Sequence, residues 1–258
     1  MRRLVHLIGG SLAAYLVLAY LVLPALWTHY EHAPVLATVP KRTVTSANVP
    51  GDPLNVALVG SDAEVVAAFA AAGWRRPAPI DVESSVAIAE SVLLDRPDPA
   101  APVSNLYLFG RKEDLAFEQE VGDSARRRNH VRFWRSEERV DERPLWLGAA
   151  TFDRGVGVSH LTGEITHHIA PDVDEERDRV IGDLERAGQL RVVFQVTGVG
   201  PTLRGRNGGG DRYYTDGEMT VGVLKATDAG AIYTPVRLAN PRAVHVKNAV
   251  WQRLRAWL

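Results

Sequence analysis

PLWLGAATFDRGVGVSHLTGEITHHIAPDVDEERD, residues Pro144 to Asp178, holds in one run an apolar strand, a strand with paired histidines and the start of a helix. Leu145 to Phe152 is short, nearly all apolar and preceded by Pro144, which predicts a buried strand; Gly155 and Gly157 then break it and open a loop. Ile165 to Ala170 predicts a second strand. Period two puts Ile165, His167 and Ile169 on one face and Thr166 and His168 on the other, so the adjacent histidines must face opposite ways. In DVDEERDRVIGDL, Asp172 or Asp174 caps a helix, its acids favour the positive end of the dipole, and Val173, Val180, Ile181 and Leu184 form the buried side. That helix accounts for most of the carboxylates without chemistry.

Upstream, Leu54 to Gly60 reads as a strand. Ser61 followed by Glu64 is a capping box, and Val65, Val66, Phe69 and Ala72 give a helical stripe ending at Gly73. A second helix follows from Val82, Val86, Ala89 and Leu93, with Asp81 as its cap. The apolar run Val103 to Phe109 then predicts a strand buried on both faces, and a parallel crossover joins the two strands if they share a sheet. Downstream, Arg191 to Thr197 alternates and suits pairing with Met219 to Leu224. The glycine-rich Gly205 to Asp211 between them fits neither phosphate-binding fingerprint and reads as a long hairpin loop, a flap over the site. At the C-terminal end Asn240 caps a helix with Pro241 in its first position. Its stripe of Val246, Val250, Leu254 and Trp257 is expected to pack on the sheet, with lipid headgroups as the competing destination. The sum is an α+β fold, a mixed β-sheet with flanking helices.

Leu4 to Trp27 carries no formal charge and is long enough to cross a hydrocarbon core of roughly 30 Å as a helix. It exceeds the h-region of a signal peptide and has no small-x-small cleavage site behind it, which favours an uncleaved signal anchor in the lipid bilayer. Arg2 and Arg3 before it predict a single-pass membrane protein with a cytoplasmic N-terminus and an exported domain. Glu31 to Pro53 has four prolines and no periodicity. The expected organisation is therefore a transmembrane helix over 1–27, an extended linker over 28–52 and an α+β domain over 53–258.

With 258 residues and no cysteine, the chain needs no disulfide staple, and thiolate catalysis and cysteine-held metals are excluded. A net charge of -1 argues against nucleic acid as a partner. Nothing in the pattern fixes an oligomeric state or names a cofactor.

Two segments carry the chemistry. RRRNHVRFWR, residues 126–135, alternates so that His130, Arg132 and Trp134 share one face and Val131, Phe133 and Arg135 the other. One reading is a solvated edge strand whose charges discourage pairing; the sharper one is a pocket in which Arg126, Arg127, Arg128, His130, Arg132 and Arg135 bind an anion. Asp153, His160, His167 and His168 are the candidates for acid–base catalysis. With Asp172 and Asp174 the histidines supply ligand types that a divalent metal takes, yet HxxxxxxHH fits no metal signature, so a metal stays an open question. Ser159 beside His160 lacks the GxSxG elbow, which makes a serine hydrolase improbable.

RKEDLAFEQE with RRRNHVRFWR, then PLWLGAATFDRGVGVSH and GEITHHIAPDVDEERD, resemble in that order the LssY C-terminal domain of bacterial membrane proteins, over roughly Leu54 to Leu224. That domain is often joined to a PAP2 phosphatase-like domain or a DedA-type membrane region. This chain has neither PSGH nor SRxxxxxH, so phosphatase activity is not carried over, and what the resemblance implies is a shared site in Arg111 to Arg135 and Thr151 to Asp178. The expected function is a membrane-anchored cell-envelope accessory or binding module for an anionic lipid or phosphorylated ligand. The alternative is a hydrolase built on the His/Asp constellation, with or without a metal.

Overall fold

The computed structural model describes residues 2–77, 105–122, 124–161, 165–198, 203–226 and 234–257. The fold is α+β and its main sheet is mixed. β3 (Val56–Val59), β6 (Leu115–Val121), β7 (Ser124–Val140), β8 (Arg143–Val158), β10 (Leu190–Thr197), β13 (Glu218–Leu224) and β14 (Val236–Arg237) run in the order β14-β10-β13-β3-β8-β7-β6. β9 (Ile165–Ile169) adds to β8. β3 is parallel to β13 and β14 to β10; the other pairs are antiparallel. The expected pairing of Arg191 to Thr197 with Met219 to Leu224 is present, with Phe194 opposite Val221.

Alternation along these strands makes two cores. One face carries Val56, Leu58, Phe117, Phe133 and Trp146 and is covered by α2 (Asp62–Ala71) and α3 (Val173–Arg186) through Phe69, Val180, Ile181 and Leu184. The other face carries Ala57, Val59, Trp134, Leu145 and Leu147, packed by Ala33, Leu36, Val39, Leu106 and Leu108. The helix starts follow the sequence. Ser61 and Glu64 form the capping box, and Asp172 caps α3 by accepting from the backbone N of Asp174 at 3.2 Å.

Several expectations need correction. The segment 28–52 is not a free tether, because Leu36 is fully buried and β1 (Arg42–Thr45) and β2 (Pro50–Pro53) form a hairpin. Short pieces between prolines can pack without showing any periodicity. β4 (Leu106–Leu108) and β5 (Arg111–Lys112) join that hairpin in a second sheet ordered β2-β1-β4-β5, so β4 makes no crossover with β3. The helix expected over Val82 to Leu93 lies outside the described residues. β7 is no edge strand; it sits between β6 and β8, and its charges are accommodated by ion pairing. Nor do Gly155 and Gly157 end β8, which passes through both with a register shift between Asp153 and Gly155.

α1 spans Arg2–Trp27, 26 residues that at 1.5 Å each reach about 39 Å, long and apolar enough to cross a membrane. α4 (Arg242–Leu254) begins one residue later than the sequence indicates, with Pro241 as its N-cap. It packs beside Leu23–Trp27 of α1. Its inward face is Val244, Lys247 and Trp251, the tryptophan edge-on to Tyr214. The stripe expected to pack on the sheet instead points outward: Val246, Val250 and Leu254 are exposed, and Trp257 beyond them is 87% exposed.

Candidate functional site

β7, β8 and β9 form the floor of a cavity of about 370 Å³ on the face of the sheet opposite α2 and α3. The floor carries His130, Arg132, Thr151, Asp153 and His167. The β1–β2 hairpin closes one wall, ending at Asp52, and Asn207, Gly208 and Gly209 of the glycine-rich loop close another. That loop joins β11 (Arg204–Arg206) to β12 (Arg212–Tyr214), so the hairpin expected from the sequence is present and its loop lines the cavity.

Period two determines which arginines reach this floor. Arg128, His130 and Arg132 lie on the Trp134 face and are almost fully buried. Arg127 and Arg135 are on the odd-numbered face and stay outside the site. The Arg127 guanidinium lies 5.8 Å from the centre of the Phe152 ring, and Arg135 is exposed and paired with Asp62 at 3.2 Å. Arg126 occupies a backbone position in β7. Among the candidate anion ligands whose side chains are described, His130 and Arg132 therefore line the cavity and Arg128 lies buried behind them.

Arg128 stands behind the cavity wall and spends its fork on protein groups. It donates from Nε to Asp153 Oδ2 at 3.1 Å, from Nη1 to Glu118 Oε2 at 2.9 Å, and from Nη2 to His167 Nε2 at 3.1 Å. The last contact fixes the imidazole. A guanidinium only donates, so Nε2 must be the accepting nitrogen and the ring proton belongs to Nδ1. Among the described residues that Nδ1 is buried with no hydrogen-bond partner, while its ring lines the cavity. Burial, then Arg128 and Arg132, push the His167 pKa down to about 3, so the ring is neutral at any ordinary pH. The same causes hold His130 well below the usual histidine range.

Arg132 Nη1 stands 3.9 Å from Asp52 Oδ2. Burial pushes Asp52 up to about 6, against the pull of Arg132. Asp52 was hidden in the sequence because it falls inside the segment read as linker. Asn207 was hidden because a loop asparagine carries no periodic signal.

The adjacent histidines do face apart. His168 Nδ1 lies 2.9 Å from Asp211 Oδ1, and the His160 and His168 rings are 5.3 Å apart. Neither lines the cavity, so the four residues proposed for acid–base work divide into Asp153 with His167 and His160 with His168. Asp211, in the glycine-rich loop, joins the second group.

Residues 36–219 match the family described as LssY C-terminus, a span that includes most of the segment expected to be linker as well as every part of the cavity. No curated protein and no solved structure matches the chain.

Proposed function

The chain belongs to the LssY C-terminal family, and from that premise we propose that it is a membrane-anchored module whose cavity binds a small anionic group such as a phosphate ester. One observation carries the reading: the cavity is lined by a neutral imidazole whose one N–H has no partner among the described residues, beside the buried guanidinium of Arg132. Both groups donate. A ligand that meets the His167 N–H must offer an acceptor, the Arg132 charge favours a negative one, and a tetrahedral oxyanion supplies both in a compact volume. About 370 Å³ is at the small end of ligand pockets, suited to a headgroup or small ester. Catalysis by His167 as a general base loses support, because its lone pair is already engaged by Arg128.

Anchoring rests on α1, with Arg2 and Arg3 on the cytoplasmic side and the domain exported. α4 lies against the end of this helix with its apolar stripe and Trp257 outward, the pattern of a helix lying in the lipid interface.

Calorimetric titration of the full chain in detergent with sulfate, inorganic phosphate and soluble phosphate esters tests the cavity. We expect one site per chain, weakened about ten- to a hundredfold in Arg132→Gln, the range for a lost charge-assisted hydrogen bond. Absence of binding by every oxyanion, or equal affinity in the variant, would rule the reading out.

A further inference from the structure

His160, His168 and Asp211 come from three separate segments, the turn after β8, strand β9 and the glycine-rich loop. One ring nitrogen of each histidine and a carboxylate oxygen lie within 4.8 Å of one another. Donors bonded to zinc at about 2.0–2.1 Å are roughly 3.4 Å apart in a tetrahedron. A contraction of about 1.4 Å at most by the exposed His160 side chain would close the set.

Three features beyond proximity point to a ligand set. The Asp211 carboxylate is oriented, since its Oδ2 accepts from the backbone N of Ile169 at 3.0 Å. The loop that carries it is fixed by Asn207, whose Oδ1 accepts from the backbone N of Gly209 at 3.1 Å and of Asp211 at 2.9 Å. Such outer contacts hold metal ligands in register. Glycine keeps space for both histidines: a Cβ on Gly157 would come within 2.5 Å of His168 Nε2 in the ring, and one on Gly210, at φ +88, within 2.8 Å of His160 Cβ at the root of the side chain. A plain His168–Asp211 hydrogen bond explains two of the residues. It leaves unexplained why His160 brings a second imidazole to 5.3 Å from the first.

We propose that His160, His168 and Asp211 bind a divalent transition-metal ion of the zinc class, with the remaining position open to water. Two imidazoles and one carboxylate are donors that such ions accept in sites with an open position. Because Asp211 belongs to the loop and both histidines to the β8–β9 hairpin, the ion ties the glycine-rich flap down beside the cavity. The inference is independent of what the cavity binds.

The full chain in detergent, prepared without a histidine tag, is titrated with Zn²⁺ by calorimetry and with Co²⁺ by visible absorption. We expect one equivalent per chain and the intense absorption of four- or five-coordinate cobalt. His160→Ala removes an exposed side chain and should leave the thermal midpoint of the metal-free protein unchanged while weakening Zn²⁺ by at least about a hundredfold. Asp211→Asn should weaken it as well, and His245→Ala, an exposed histidine on α4, should bind like the parent. Zn²⁺ should also slow tryptic cleavage at Arg204 and Arg206 in the parent and not in His160→Ala. No stoichiometric binding, or equal binding by His160→Ala, overturns the site; tight binding with unchanged cleavage overturns the clamp.

Discussion

Arg177 and Arg132 are both buried arginines in the same domain, and their surroundings differ in one respect. Arg177, on α3, donates from Nη1 to Asp216 Oδ1 at 2.8 Å, Asp174 Oδ1 at 3.1 Å and the Glu218 carbonyl at 3.0 Å, and from Nε to Asp178 at 2.8 Å. Its partners are themselves engaged: Asp174 accepts from Thr215 Oγ1 and the backbone N of Asp216, and Lys247 of α4 pairs with Glu218. The Arg177 guanidinium thus donates to protein groups from all three of its nitrogens, the outermost of them the exposed Asp178. Around Arg132 the polar groups end at a cavity, with His167 Nδ1 unpartnered beside it. Burial and charge alone therefore do not mark a binding site. What separates scaffold from site, among the described residues, is whether a buried donor is left facing a cavity, as His167 Nδ1 is.

The largest expected effect is on stability. Arg177→Met strands Asp174 and Asp216 without their cation, and removing one partner of a buried ion pair costs about 3–5 kcal/mol. Arg132→Met should cost less than that, because Asp52 is already pushed up to about 6 and takes up a proton readily when its cation is gone. Urea unfolding of both variants measures the difference. Equal losses would mean that the two clusters are both scaffold.

A smaller effect, about tenfold, concerns pH. Asp52 has a folded pKa of about 6, above its ordinary 3.8, so its carboxylate is ionised above that pH and repels an anion held by Arg132. Sulfate keeps its charge through this range, so its affinity should rise as pH falls from 7.5 through 6 to 5. Asp52→Asn should keep the higher affinity at pH 7.5 and flatten the profile. His167, at about 3, stays neutral throughout and contributes no step in that window. A parent profile that is flat, or that rises with pH, would sever Asp52 from the cavity.

The two clusters also differ in how visible they were in the sequence. Strand alternation in residues 128–134 told which face His130 and Arg132 share, and the opposed faces of His167 and His168 follow from the same period. The helix capped by Asp172 was equally legible, because capping is local. Asp52, Asn207 and Asp211 were not, since each reaches its place through a long-range closure of a segment without periodicity. The sign of α4 was missed for a related reason. Its apolar stripe was plain, but the inward face is chosen by Lys247 reaching the buried Glu218 and by Trp251 against Tyr214, neither of which a hydrophobic pattern records.

That inward anchoring connects the Arg177 cluster to the end of α1 and gives the last and smallest expected effect. Glu218 pairs with Lys247 and lies 3.7 Å from His29, whose backbone N donates to Thr197 Oγ1 two residues after α1 ends. The cluster thereby holds the end of α1 and the inner face of α4 against the same strands. With its inner face so occupied, α4 turns the apolar Val246, Val250 and Leu254 outward, with Trp257 beyond them. Reconstituted into vesicles with bromine-labelled acyl chains, the full chain should lose tryptophan emission, and Trp257→Phe should reduce that loss by a measurable fraction, the rest belonging to other tryptophans such as Trp27. Lys247→Met, which removes the inner contact and not the stripe, should lower quenching at Trp257 if the buried charges set the helix's seat. Quenching unchanged in Trp257→Phe would place the stripe in water and confine the membrane contact to α1.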